Sequence, residues 1–495
     1  MANRVTKGII WTTLSSILRN VVSLLQIAIL TRFLLKEEFG IIAIANMFLA
    51  FTTMFLDMGM AAGIIHKQNI TKEEYSSIFW LNVLFGIGLT SLLYFIAPLL
   101  TAGYDSNDLT IIVRLICFTI LLNSLGMLSR TYSTKKAMFK RLAIIECVGS
   151  IVVFIVALSS AMRGYGAYSL AYSTIAGALV INVIYLFIAW FKDHQVSFHF
   201  SFNETLPFLK IGIYQVGSSI LDFFTRELDI IIVSATLGLE FLGVYNIAKR
   251  IPTALYSFIN PIVGRVFTPL LAEMNGNIIR LKGNYILISK ALSWISFPMY
   301  LFLAAIAPTV ISIVFGNDYL DGIPVMMIFC LKYSFNGVNG VCGALQTALG
   351  RTDIGFKWTI YLVISTAVVY FISASAGITP FLIGIILLVF INAIVCWAMQ
   401  FKPMVKVSVR EYASIYIRSF VISTFLASLI FFIYRESSLV YSVISLFVFI
   451  ILYVLLIINS KDGNTIIDVL NRFNCNGRVI AFLDNIHFLH SKTDK

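Results

Sequence analysis

The feature that most constrains this chain is a succession of apolar runs, each about as long as a bilayer is thick. A span needs roughly 20 mostly apolar residues, because the hydrocarbon core is about 30 Å deep and an α-helix rises about 1.5 Å per residue. Read between breakers such as TAGYDSND (101–108), RGYG (163–166), FGNDYLDG (315–322) and GITP (377–380), the 495 residues predict about fourteen such helices. Their extents are 8–34, 40–64, 76–101, 108–130, 142–162, 166–191, 208–236, 241–271, 286–314, 320–349, 355–377, 379–401, 412–434 and 438–459. Composition agrees: 59% of residues are hydrophobic, 12% are charged, and the mean hydropathy is +0.91. A soluble domain is about a quarter charged. The expected class is therefore an all-α polytopic membrane protein, without an extramembrane domain in its short loops. The first run is too long for a signal-peptide core of about 7–15 residues, and a small-residue cleavage site does not end it, so it reads as a retained span.

Charge orients the bundle. With the spans drawn, 24 Lys and Arg fall on the side of the N-terminus and the even connections, and 4 on the other. Cytoplasmic loops carry the basic excess, so both termini are expected in the cytoplasm. Topology and contact with anionic headgroups account for the net charge of +12, and no nucleic-acid partner is implied.

Eight basic residues fall inside spans: Arg19, Arg114, Arg226, Lys249, Arg250, Arg265, Lys332 and Arg418. Arg114 and Arg418 lie close enough to a helix end to snorkel. The rest call for a bundle interior or a watery cavity, as do the acids Asp57, Asp222, Glu227 and Asp229. In the first span, Thr12, Ser16, Arg19, Ser23 and Gln26 follow steps of four and three, which puts them on one helical face. A polar stripe on a spanning helix turns away from lipid.

The chain repeats this feature. LLKEEFGIIAIA (34–45) reappears as LGLEFLGVYNIA (237–248), an offset of 203 residues, with Leu34, Glu37, Gly40, Ile44 and Ala45 matched by Leu237, Glu240, Gly243, Ile247 and Ala248. At that offset Thr12, Ser16, Arg19, Ser23 and Gln26 meet Gln215, Ser219, Asp222, Arg226 and Asp229. Asn46 meets Lys249, and Asp57 meets Asn260. The offset spans an even number of helices, so the two copies run parallel, related by an axis along the membrane normal. The expectation is two six-helix lobes, 1–200 and 201–405, then two further spans in 406–459 and a cytoplasmic tail, 460–495. The copies would contribute their polar faces to one central, cation-rich space. Gly40 and Gly243 suit a tight inter-helix turn, and Glu37 and Glu240 suit local caps on the helices that follow.

Two readings of the charges stand side by side. Asp222, Arg226 and Asp229 are spaced so that they could neutralise one another and merely hold helices together. Arg19, Lys249 and Arg250 tip the balance toward a cavity for an anion, phosphate above all. Lys332, Asn336, Asn339 and Gln346 form another stripe, either a lining or a hydrogen-bonded seam. Prolines 252, 261, 269, 298 and 308 are expected to interrupt the eighth and ninth spans. The chain has no Walker A sequence, no metal spacing among its scattered cysteines and histidines, and no catalytic grouping. Neither enzyme chemistry nor a cofactor is expected.

RFLLKEEFGIIAIA (32–45), FLDMGMAAGIIHKQNITKEEYSSIFWLN (55–82), MFKRLA (138–143) and LDIIIVSATLGLEFLGVYNIAKRIPTA (228–254) resemble the polysaccharide transporter, or Wzx-like, flippases. These belong to the multidrug/oligosaccharidyl-lipid/polysaccharide exporter superfamily. The resemblance is strongest to the lipopolysaccharide, colanic acid and teichuronic acid exporters, and it covers about 400 residues. It implies a MATE-like fold in a bacterial inner membrane. It also implies a polyprenyl-diphosphate-linked oligosaccharide substrate, moved from the inner to the outer leaflet by alternating access. Arg19, Arg226, Lys249, Arg250 and Lys332 would then bind the anionic head, with Asp57, Asp222, Asp229, Gln26 and Gln215 tuning the cavity or coupling ions. Tyr214, Tyr245 and Trp11 are candidates to stack on sugars, against simple interior packing. Membrane lipids are expected partners, and the polymerase and glycosyltransferases of the same pathway are candidates. Rival readings are a drug or cation antiporter on the same fold, a lipid II flippase, and a membrane glycosyltransferase, for which the loops are too short.

Overall fold

The computed structural model describes residues 2–458 except 58–62, 65–66, 68–69, 105, 194–195, 275 and 434–438. The side chains of Asp57, Tyr214, Gln215 and Arg265 also lie outside the described residues, as does the expected tail. Among the described residues the regular structure is helical, as a lipid solvent requires: only helices and closed barrels satisfy every backbone N–H and C=O internally. In chain order the helices are α1 (Ala2–Leu30), α2 (Lys36–Asp57), α3 (Lys72–Thr101), α4 (Asn107–Ile116), α5 (Phe118–Lys135), α6 (Phe139–Ala161) and α7 (Ala167–Phe187). There follow α8 (Phe202–Thr236), α9 (Gly238–Ala248), α10 (Arg250–Ala272), α11 (Ile278–Ala305), α12 (Ile323–Leu349), α13 (Thr352–Ser375), α14 (Ile378–Cys396), α15 (Val409–Ile433) and α16 (Leu439–Ile458). Ten described helices are long and apolar enough to cross a membrane. The other expected spans are α8, α9 with α10, α12, and α16. Phe95 and Leu99 on α3 show the outward-facing chemistry: they are 76% and 77% exposed, where a soluble helix would carry charge.

The chain divides into two compact units, Met1–Ile247 with Thr366–Gly377, and Ala248–Ser365 with Ile378–Lys495. This division follows spatial contact and groups α8 with the helices before it. In the first unit α1 packs on α6, α6 on α7, α7 on α5, α5 on α3, and α2 on α4 and α8. Tyr75, Phe79, Leu128 and Phe208 lie in one of its apolar clusters. In the second unit α12 packs against α10, α11 and α14, and α15 against α11. Phe297, Phe335, Tyr416 and Phe420 interlock there, with Phe335 stacked on Tyr416 at 5.8 Å.

Two local expectations are corrected. Gly40 and Gly243 are not turn residues: both lie inside helices, and the left-handed backbone that opens α9 belongs to its first residue, Gly238, at φ 84. Their role is close approach. A Cβ added at Gly40 would overlap the carbonyl oxygen of Leu239, and one at Gly243 would overlap that of Lys36. Lys36 and Leu239 are themselves separated by 203 residues, so the contact is reciprocal. The copies meet backbone to backbone at the motif they share, both within the first unit. The second correction concerns the prolines. The eighth span breaks at Lys249, between α9 and α10, whereas α10 runs unbroken through Pro261 and Pro269, and α11 through Pro298. Pro252 has no N–H for the carbonyl four residues back, at Ala248, and the ladder resumes with Thr253 N–H donating to the Lys249 carbonyl at 3.1 Å.

The glutamates diverge. Glu240 ion-pairs with Lys36 at 3.7 Å, across the two copies. In the first copy capping falls to Glu38. It accepts from the Leu35 N–H at 2.7 Å, and from the Ala167 N–H at 3.0 Å, tying the turn to the start of α7.

Candidate functional site

The stripe on α1 forms as its spacing predicts: Arg19 Nη2 donates to Ser16 Oγ, one turn back, at 3.4 Å. The sequence left open what Arg19 meets across the helix. Its Nη1 lies 2.9 Å from Oε2 of Glu146 on α6, and the other oxygen of that carboxylate takes Nη2 of Arg130 on α5 at 2.6 Å. Glu146 is largely buried, with 14% of its side chain exposed, against 37% for Arg19 and 57% for Arg130. One carboxylate therefore serves two guanidiniums, and the trio keeps one net positive charge. Arg19 is thus not a lone cation.

Neither Glu146 nor the part played by Arg130 was found from the sequence. The signal for Glu146 was present: a single acid within LAIIECVGSIVVF (142–154), where an ionised group needs a partner. Pairing by steps of three and four along one helix does not detect an ion pair between three helices. Beyond this trio, Arg141 forms a two-pronged bridge with Asp193, at 2.7 and 3.1 Å, and both side chains are mostly covered.

On α8, Asp222 and Arg226 are exposed, whereas Asp229 is buried. Asp229 accepts the Tyr245 hydroxyl at 2.9 Å, and its other oxygen accepts the Ile230 N–H at 2.9 Å. Tyr245 is wholly buried. Here interior packing is the better account of Tyr245, and its ring is covered by protein. Trp11 has Lys140 over its ring at 5.5 Å. Gln26 is half-buried.

In the second unit Lys249 and Arg250 flank the helix break, half-buried and exposed respectively. One turn on, Thr253 and Tyr333 join α10 to α12 through their hydroxyls at 3.0 Å, and Tyr256 stacks on Tyr333 at 4.9 Å. Lys332 sits over the Phe329 ring at 5.4 Å, a cation–π arrangement. The rest of that stripe divides. Asn339 accepts the Tyr416 hydroxyl at 2.7 Å, and Gln346 donates to Gln400 at 2.7 Å, so these two act as a seam between helices. The first unit thus holds Arg19, Gln26, Asp222, Arg226 and Asp229, and the second holds Lys249, Arg250 and Lys332. The guanidinium groups of Arg19, Arg226 and Arg250 present planar forks of donors that match phosphate oxygens, and the ammonium groups of Lys249 and Lys332 offer a compact positive charge.

Known proteins bear on this arrangement. The chain is 25% identical over 418 residues to the lipopolysaccharide biosynthesis protein WzxC of Escherichia coli (strain K12), covering 83% of this chain and 84% of that protein. It is 25% identical over 366 residues to the teichuronic acid biosynthesis protein TuaB of Bacillus subtilis (strain 168), covering 72% and 74%. Its fold is similar to that of the lipid II flippase MurJ in an inward closed conformation. The TM-score is 0.73 at 16% identity, over 92% of this chain and 98% of that one. Residues 29–324, more than half of the sequence and including the repeated motif and the broken span, match the family described as polysaccharide biosynthesis protein; the chain belongs to that family.

Proposed function

We propose that this protein is a flippase that carries a polyprenyl-diphosphate-linked oligosaccharide, the repeat unit of a surface polysaccharide, from the inner to the outer leaflet of the cytoplasmic membrane. The observation that carries this reading is the polysaccharide-biosynthesis family match over residues 29–324 in a chain with ten helices, among the described residues, long and apolar enough to span a bilayer. The lipid-linked sugar must cross a bilayer that its carrier cannot cross unaided, and a membrane-embedded member of such a family fits that task. Arg19, Arg226, Lys249, Arg250 and Lys332 bind the diphosphate and any acidic sugars, and Asp57, Asp222, Asp229, Gln26 and Gln215 adjust the polarity around them. The pathway polymerase and glycosyltransferases are its proposed partners, and both termini face the cytoplasm.

The test is surface polysaccharide in a strain that carries Arg226→Ala or Arg250→Ala in place of the wild-type protein. Polymer should be lost while the variant remains in the membrane at normal amount. Normal polymer in both variants removes the site assignment. Normal polymer in a deletion strain that becomes drug-sensitive points instead to an antiporter. Loss of viability through failed peptidoglycan synthesis points to lipid II.

A further inference from the structure

The Arg19–Glu146–Arg130 trio holds more donors than its carboxylate can use. Each guanidinium has five N–H donors, and each gives Glu146 a single end-on contact, at 2.9 and 2.6 Å. Among the described residues, Arg19 Nε is buried without a hydrogen-bond partner, and its remaining nitrogen reaches Ser16 only at 3.4 Å. More than half of the Arg130 side chain is exposed. A buried guanidinium nitrogen left unpaired is uncommon and calls for a reason.

A second orphan lies beside it. Tyr185 on α7 is wholly buried, packed on Leu142 and Ile145 next to Glu146. Its hydroxyl has no partner among the described residues, and the charges acting on it are those of Arg130, Glu146, Arg141 and Arg19. A clamp built only to hold α1, α5 and α6 together would gain nothing from unused donors. A receptor for an anion with more oxygens than a carboxylate needs them: a phosphoryl group has three or four and can take a guanidinium through two at once.

We propose that Arg19 and Arg130 form a seat for a phosphoryl anion inside the first unit, and that Glu146 is the built-in anion that competes for it. Its fit to a lipid-linked diphosphate rests on the flippase reading above. Glu146 then holds the two guanidiniums in place, and an arriving phosphoryl group displaces it, recruiting Arg19 Nε and the Tyr185 hydroxyl. Anionic phospholipid headgroups carry the same chemistry, so the source is decided by experiment.

The full-length protein in phosphatidylcholine nanodiscs is titrated with undecaprenyl diphosphate and, separately, with phosphatidylglycerol. Glu146→Gln removes the competing charge, and apparent affinity should rise roughly fivefold, the equivalent of an ordinary partly exposed ion pair. A rise in either arm supports the seat, and the arm in which it occurs names the source. Adding Arg19→Ala or Arg130→Ala to the Gln variant should erase the rise, and a rise that survives both overturns the proposal. Unchanged or weaker binding in both arms, by a Glu146→Gln protein that elutes as a folded species, also overturns it. Should Glu146→Gln not fold, Glu146→Asp, charged but one methylene shorter, must show a smaller rise. A folded Asp variant without one overturns the seat, as does failure of both variants to fold, which makes Glu146 a fixed clamp. Loss of polymer in Arg226→Ala and Arg250→Ala with no rise here sinks the seat alone. A rise here with normal polymer in those variants sinks the assignment of Arg226 and Arg250 alone.

Discussion

The two copies of the repeated motif agree in backbone and differ in charge. Gly40 and Gly243 make the same contact from opposite sides, each lying on the carbonyl of the residue that corresponds to the other's contact partner. Their ionised groups take separate courses. Arg19 in the first copy joins a carboxylate and a second arginine on neighbouring helices. Its counterpart Asp222 is exposed, and the buried acid of the second copy, Asp229, is held by Tyr245. Glu240 pairs with Lys36, whereas the counterpart of Lys36 is Leu239, so Glu37 is offered no equivalent cation there. The difference shows which constraint is symmetric. A meeting of two backbones has to be satisfied by both partners at once, so both positions stay glycine. An ion pair is satisfied locally, and each copy is free to use its own neighbours.

Five substitutions test this contrast. Glu146→Ala should have the largest effect, because it leaves two guanidiniums facing each other without their carboxylate; breaking a covered pair in this way costs about 3–5 kcal/mol, toward the lower end given the exposure of Arg130. The readout is the melting temperature of the detergent-solubilised protein, and a wild-type value would make the first copy's charges ornamental. Tyr245→Phe should follow, at roughly 1.5–3 kcal/mol for a hydrogen bond to a charged group, visible in the same melt. A neutral result would mean that the second copy's acid does not depend on this contact. Gly40→Ala and Gly243→Ala should each cost about 1–3 kcal/mol through overlap with backbone that cannot turn aside. Because they strain one contact, the double variant should cost less than the sum of the singles. Clearly unequal singles would break the symmetry. The smallest effect belongs to Glu240→Ala, within about 1 kcal/mol for a largely exposed pair; a larger loss would show that the ionic difference between the copies bears on stability after all.

Much of the fold was legible in the sequence because lipid leaves few choices. Apolar runs of sufficient length must be helices, and the 203-residue echo announced the repeat. The face of α1 was legible too, since the steps from Thr12 to Gln26 fix it by geometry. The reach of each charge was not. Glu146 sits on a different helix from Arg19, 127 positions along the chain, and sequence spacing carries no information about which helices become neighbours. The same limit applied to Gly40, whose need for a missing side chain came from α9 and not from its own turn. Pro252 signalled a break, and the break came three residues earlier, because proline deprives the carbonyl on its N-terminal side. The stripe on α12 mixed two roles that composition cannot separate: Asn339 and Gln346 found neutral partners on α15 and in the turn after α14, and Lys332 found an aromatic face.

The glycine contact has a dimensional consequence. Where side chains interlock, the distance between two helices depends on which rotamers they adopt. At Gly40 and Gly243 the main chain itself sets it, because the carbonyls of Leu239 and Lys36 occupy the space a Cβ would need. That spacing is a fixed gauge, and both of its jaws are cut by one sequence written twice.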